Sequence, residues 1–314
     1  MAEYEQVKTC YGQILVELGE RNPDIFVVEA DLMKASGSAP FLERFADRHI
    51  NVGVAEQNLV GVAAGLAAAG RIPYACTMAN FISQRSCDQV AMSVSYNKLP
   101  VKLIGCYAGI TQEKNGGTHI SIMDLAVMRC LPYMTVIAPG DCREFSQAVA
   151  AAADIDGPVY IRMPKLLPKD IFCGASEQFF PGKAYQLAAG DDAAIISTGL
   201  ASGLAREAAE LLADDGIHVR VLHLPTLKPV DEDAVAACAR ETGRIITVED
   251  HGVYGGLGSL VSEITAARCP VPVSMLGMRD TFGLTADLDF QLDYFGLTPG
   301  HIRSTVKQLM NIAS

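Results

Sequence analysis

The chain has 314 residues, half of them apolar, with 28 glycines and a formal net charge of −11. At about 150 residues per domain, that length points to two domains with room for substantial cores. The excess of 36 acidic over 25 basic residues argues against a broad nucleic-acid or anionic-membrane surface, while leaving room for a local anion site.

Residues 1–32 alternate polar and apolar side chains and carry no basic segment followed by an apolar one, so no secretory signal is expected. The pattern predicts strands at 25–29 (IFVVE) and 50–54, then a small-residue helix beyond Glu56. Its most apolar part, 59–69, is too short to cross a bilayer and reads as a helix packed in a core. Further along, strands are expected at 73–77, 101–105, 134–138 and 159–162, with helices at 88–96, 124–129 and 143–153. These β-branched, uninterrupted strands belong to a mostly parallel sheet covered on both faces.

The alternation pauses over 164–184, a stretch rich in Pro, Gly and charge. It resumes with strands at 193–197, 218–223, 244–249 and 272–276 and helices at 201–214, 231–240, 258–268 and 299–310. The fold class is therefore α/β, with two doubly wound domains of mostly parallel strands. They are expected at 1–172 and 188–314, joined by a linker at 173–187.

The nine cysteines form no CxxC pair, and none of the six histidines forms HxxxH or HExxH. Buried thiols in a reducing cytoplasm, with no metal-ligand set on this chain, are the expectation.

Three segments carry candidate chemistry. In NVGVAEQN (51–58), Glu56 falls in the first turn of a helix that follows a strand. It is either a favourable first-turn acid or a carboxylate facing the crevice at the carboxyl end of a parallel sheet. The polar, glycine-rich loop 109–119 (GITQEKNGGTH) ends in His119 and is either a surface turn or a substrate-handling loop. HGVYGGLG (251–258) lacks the last glycine of GxGxxG, because position 261 is Val, so a tight turn and an anion nest fit it equally well.

Taken in order, YGQILVELGERNPDIFVVEADL (11–32), NVGVAEQNLVGVAAGLAAAGRIPYACTMANFISQRSCDQV (51–90), GGTH (116–119), GPVYIRMPK (157–165), VEDHGVYGGLGSLVSEI (248–264) and MRDTFGLTADLDFQLDYFGLT (278–298) resemble the transketolase family of thiamine-diphosphate enzymes. The resemblance implies a pyrimidine-binding domain followed by a transketolase C-terminal domain. It places Glu56 on the carboxylate that hydrogen-bonds N1′ of the cofactor's aminopyrimidine, and Phe81 on the aromatic that stacks against that ring. Asp31, Met78 and Gln84 fall on neighbouring cofactor-pocket positions, the last two where many relatives carry aromatics. His119 falls on the histidine that handles substrate hydroxyls and protons. Around the substrate's phosphate, where relatives use arginines, a histidine and a serine, this chain has Lys8, Tyr107, Lys165 and Ala35, and Asn115 replaces an acid. The substrate-binding set implied is thus Lys8, Tyr107, Asn115, His119 and Lys165, with a donor either ordinary or branched, deoxy or differently charged.

No GDG motif, which in the family holds Mg²⁺ and the diphosphate together with a following Asn, occurs in the sequence. The resemblance therefore implies the C-terminal subunit of a two-chain transketolase, inactive alone. The N-terminal subunit would hold the diphosphate and Mg²⁺ in an α2β2 heterotetramer that transfers a two-carbon ketol unit between sugars. Two other readings stay open: the E1 β subunit of a 2-oxo acid dehydrogenase, and a non-catalytic pyrimidine-domain homologue.

Overall fold

The computed structural model describes residues 3–175 and 177–311. The expected domain limits at 1 and 314, and Ser176 within the expected linker, lie outside the described residues. Seven strands make the first sheet, in the order Thr226–Lys228, Thr135–Ile137, Val159–Met163, Lys102–Cys106, Ile72–Met78, Ile25–Glu29 and His49–Asn51. All neighbours are parallel except the edge strand Thr226–Lys228, which pairs antiparallel with Thr135–Ile137. A second sheet of five runs Val273–Met278, Ile245–Gly252, Ala193–Ser197, Val219–His223 and Tyr185–Ala188, with only the last antiparallel. The α/β class and the predominance of parallel pairing are as the sequence pattern implies.

Helices fill both faces of each sheet. The helix Val7–Arg21 packs on Cys142–Ala152, and Ala201–Asp214 packs on Pro299–Leu309. The helix Glu56–Ala68 turns Leu59, Val60, Ala63 and Ala67 onto the first sheet. Both apolar cores continue from one sheet to the other. Tyr11, Ile104, Ile195 and Val248 share one; Leu103, Val136, Ile196 and Leu222 share the other. At roughly 1.5–3 kcal/mol for each large apolar side chain buried, this shared packing holds the two halves together.

Three expectations shift. The last residues of the expected linker, 185–187, join Ala188 in an edge strand of the second sheet, and within the 164–184 pause Leu166–Pro168 pairs antiparallel with Tyr4–Gln6. The helix expected at 88–96 is a short α-turn, Cys87–Gln89, continued by a wide π-turn at Val90–Ser95. The second half also lends Thr226–Lys228 to the first sheet, a non-local pairing with no local signature. No helix among the described residues is long and apolar enough to cross a membrane.

Candidate active site

Parallel strands open a crevice at their carboxyl ends, where loops leave the sheet. Asp31 follows Ile25–Glu29, Met78 ends Ile72–Met78, Tyr107 follows Lys102–Cys106 and Lys165 lies just beyond Val159–Met163. Asp31 (φ 60) and Tyr107 (φ 56) leave their strands in the left-handed region, a strain that clusters at ligand-binding edges. Asn51 steadies the first of these turns: its Oδ1 accepts the amides of Asp31 (3.1 Å) and Gly53 (2.9 Å), and its Nδ2 donates to Asp31 Oδ1 (3.3 Å).

Gly53 (φ 74) lets the chain turn into the helix Glu56–Ala68, whose first residue is Glu56. This carboxylate is only 3% exposed, and its Oε2 accepts from Nη1 of Arg85 at 2.9 Å. Arg85 ends the π-turn Phe81–Arg85, so its guanidinium carbon also lies 4.1 Å above the centroid of the Phe81 ring. Phe81 meets the His119 ring edge-on at 5.3 Å between centroids. Thr118 Oγ1 pairs with His119 Nδ1 at 2.8 Å, and the Thr118 carbonyl accepts from Asn80 Nδ2 at 2.7 Å. Gln84 donates to Asn80 Oδ1. Asn80, Phe81, Gln84, Arg85 and Thr118 line one cavity of about 760 Å³, to which Glu56 is joined through Arg85 and His119 through its ring contact with Phe81. Phe282 and Gly283 of the second half close the cavity's other side.

A second group gathers at the other end of the sheet's edge. The Val7 amide, beside Lys8, donates to the Lys165 carbonyl (3.3 Å), Gly37 packs on the Lys8 backbone, and Tyr107 OH donates to the Ala35 carbonyl (3.1 Å). The ammonium of Lys165 is paired with Glu113, whereas Lys8 and Lys34 line an open groove. Asn115 is exposed at the end of the helical loop Gly109–Asn115.

Below the His119 loop, a buried ion network spans both halves. Arg162 donates through Nε to Asp124 Oδ2 (3.0 Å), through Nη1 to Asp250 Oδ1 (2.5 Å) and through Nη2 to the Asp250 carbonyl (3.0 Å). Tyr160 OH donates to Asp124 (2.8 Å), and His251 Nε2 accepts the Leu125 amide (3.2 Å). Burial would raise the Asp124 carboxyl, but the Arg162 guanidinium and the bond from Tyr160 outweigh it and hold it below its ordinary value. Asp250 stays raised, because burial exceeds what Arg162 returns. Gly109 (φ 68) begins the loop directly against this network; a Cβ there would fall on the Asp250 carboxylate.

The 251–258 turn resolves between its two readings. The amides of Leu257 and Gly258 donate to the buried Glu249 carboxylate at 2.7 and 2.8 Å. An internal anion fills that helix start.

Sequence reasoning missed Arg85, Asn80, Thr118 and Phe282 as members of the site. Arg85 and Phe282 lie inside family-like segments, but only tertiary structure shows that one reaches Glu56 and the other faces the His119 loop.

Known proteins agree with this architecture. Residues 5–169 match the family model for the transketolase pyrimidine-binding domain, and residues 182–302 that for the transketolase C-terminal domain. The chain is 42% identical over 300 residues to a 6-deoxy-6-sulfo-D-fructose transketolase subunit of Clostridium sp. (strain MSTE9), covering 96% of this chain and 93% of that one. It is 37% identical to one of the apulose-4-phosphate transketolase subunits of Phocaeicola vulgatus, over 86% of each chain. A solved split-gene transketolase, described as an inactive β4 tetramer, superposes with a TM-score of 0.90 at 38% identity, covering 98% of this chain and 99% of that one. Of the readings open from sequence, these relatives favour the transketolase one over the dehydrogenase component. The chain belongs to the transketolase family, as the subunit that carries the pyrimidine-binding and C-terminal domains of a split-gene transketolase.

Proposed function

We propose that this chain binds the aminopyrimidine of thiamine diphosphate and, with a separate N-terminal subunit, transfers a two-carbon ketol unit from a modified ketose to an aldose. The observation that carries the reading is the buried Glu56 carboxylate, joined through Arg85 to the Phe81 face, with the His119 ring edge-on against Phe81. A carboxylate shielded from water suits a ring nitrogen that must be held by a strong hydrogen bond, and an aromatic face suits the ring plane. When bound, the cofactor supplies the nucleophilic carbon that cleaves a ketose beside its carbonyl.

Glu56 holds the aminopyrimidine N1′ and promotes proton movement at the ring. Phe81 covers the ring, and Met78, Gln84 and Asp31 border it. His119, steadied by Thr118, meets the substrate's hydroxyls and exchanges protons with them. Lys8, Lys165, Tyr107 and Asn115 receive the far end of the sugar. Lysines there offer charge without the fork of an arginine, which supports an anionic group other than the usual tightly gripped phosphate. The 6-deoxy-6-sulfo-D-fructose and apulose-4-phosphate in the relatives' names support a modified donor for this chain as well.

The diphosphate and Mg²⁺ are assigned to the partner, since the GDG motif is missing here. Exposed Val54 and the open Gly61 and Gly65 positions on the helix of Glu56 support an α2β2 assembly docked over this edge. We place the domain boundary within 173–187 and the assembly in a reducing cytoplasm, as nine unpaired cysteines suit. The test is reconstitution. With Mg²⁺, thiamine diphosphate, a 6-sulfonated ketose and an aldose acceptor, the two-chain mixture turns over and this chain alone does not. Equal rates from the isolated chain would overturn the split-subunit reading.

A further inference from the structure

Away from Glu56, three chain segments bring metal-ligating atoms together. Glu5 lies on the strand Tyr4–Gln6, Cys10 in the helix Val7–Arg21, and Cys142 begins the helix Cys142–Ala152. A carboxylate oxygen of Glu5 and the two sulfurs all lie within 4.8 Å of one another. Each ligand sits on a fixed element. Glu5 is opposite Leu167 in an antiparallel pair, and the two helices are locked beside the cysteines by the buried Tyr11–Phe145 edge contact, 6.2 Å between centroids.

We infer that Glu5, Cys10 and Cys142 form a binding site for a thiophilic divalent cation, Zn²⁺ foremost. Two sulfurs and one carboxylate are three of the four ligands of a tetrahedral zinc ion, with Zn–S near 2.3 Å, and small side-chain rotations close the remaining gap. Thiolate ligands select such an ion over Mg²⁺, which demands hard oxygen donors. Glu5 is exposed and Cys10 half-buried, so the ion enters from solvent and water completes its shell, while buried Cys142 anchors it from below. Sequence spacing could not reveal the set, because the fold alone joins Cys10 to Cys142. An ion there ties the first strand and helix to the helix Cys142–Ala152, only two residues from Lys8, and so steadies the end of the crevice assigned to the substrate's anionic group.

The test uses the reduced, full-length chain titrated with Co²⁺ as a spectroscopic probe and then with Zn²⁺. The site predicts uptake of one cobalt per chain, with a thiolate-to-cobalt charge-transfer band, proton release on binding and displacement by zinc. Cys10→Ser abolishes the band. The exposed Glu5→Gln, which leaves the core untouched, weakens affinity by at least the roughly 10–100-fold that losing an outer-shell partner costs. A band that persists in Cys10→Ser, or no band in the wild-type chain, overturns the site. So does a reduced chain that takes up no metal but joins Cys10 to Cys142 as a disulfide under peroxide.

Discussion

Arg85 and Glu56 are joined by a 2.9 Å hydrogen bond between a half-exposed guanidinium and an almost wholly buried carboxylate. The same guanidinium covers the Phe81 ring at 4.1 Å. Arg85 thus satisfies both the charge and the aromatic face that the proposed aminopyrimidine needs, from a side chain open enough to solvent to move aside. Replacing it with Ala leaves a buried carboxylate without its cation. We expect a loss of about 1–3 kcal/mol in the unliganded chain, read by urea denaturation, with Arg85→Lys losing less.

Arg162 is the keystone between the halves, since Asp124 and Asp250 are both buried against it. Removing one member of a buried ion set costs about 3–5 kcal/mol, because the remaining charges stay desolvated. Arg162→Met is expected to lose that much in urea titration. The exposed Arg44→Ala, whose partner Glu20 is also solvated, should stay within about 0.5 kcal/mol of wild type.

Glu29 ends a central strand of the first sheet, fully buried, with one oxygen accepting from Ser36 Oγ at 2.8 Å and the other without a partner. Burial pushes its carboxyl up to about 7, against bonds from Ser38 and Ser36 that pull it down. A carboxyl raised on folding binds its proton more tightly in the folded state, so the unfolded chain releases it first. Its stabilising effect is complete below the ordinary carboxylate range, and is lost as pH climbs from there through about 7. Thermal melts should show Glu29→Gln gaining relative to wild type between pH 5 and 8, and changing little with pH below about 4. A constant difference across that range would contradict the assignment.

Phe81→Ala removes the aromatic face beside Glu56. Stacking of this kind is worth about 0.5–1.5 kcal/mol beyond buried area, so half-saturation of the reconstituted enzyme should need about tenfold more thiamine diphosphate. Saturated turnover should change less. Unchanged cofactor dependence would place the ring elsewhere.

Much of this was legible from residues alone. The runs IFVVE and AAIIS became strands with the expected bounds, because five-residue apolar runs are too short for a helix and suit strands buried on both faces. Motif resemblance singles out Glu56, Phe81 and His119, and the fold links them through Arg85 and a ring contact. The Arg85 bond, the Arg162 network and the Cys10–Cys142 approach were not legible. Each joins residues distant in sequence, and no local period encodes such a pairing. Thr226–Lys228 was missed for the same reason: three residues carry too little pattern to announce an edge strand.

Activation of the cofactor by the Glu56 carboxylate is read at its source by hydrogen–deuterium exchange at the thiazolium C2 of thiamine diphosphate. In the complex of this chain with its N-terminal partner, Glu56→Gln should slow the exchange by about 10²–10⁴-fold, the usual contribution of a positioned acid–base group. Exchange at the wild-type rate in a fully assembled Glu56→Gln complex would contradict that role.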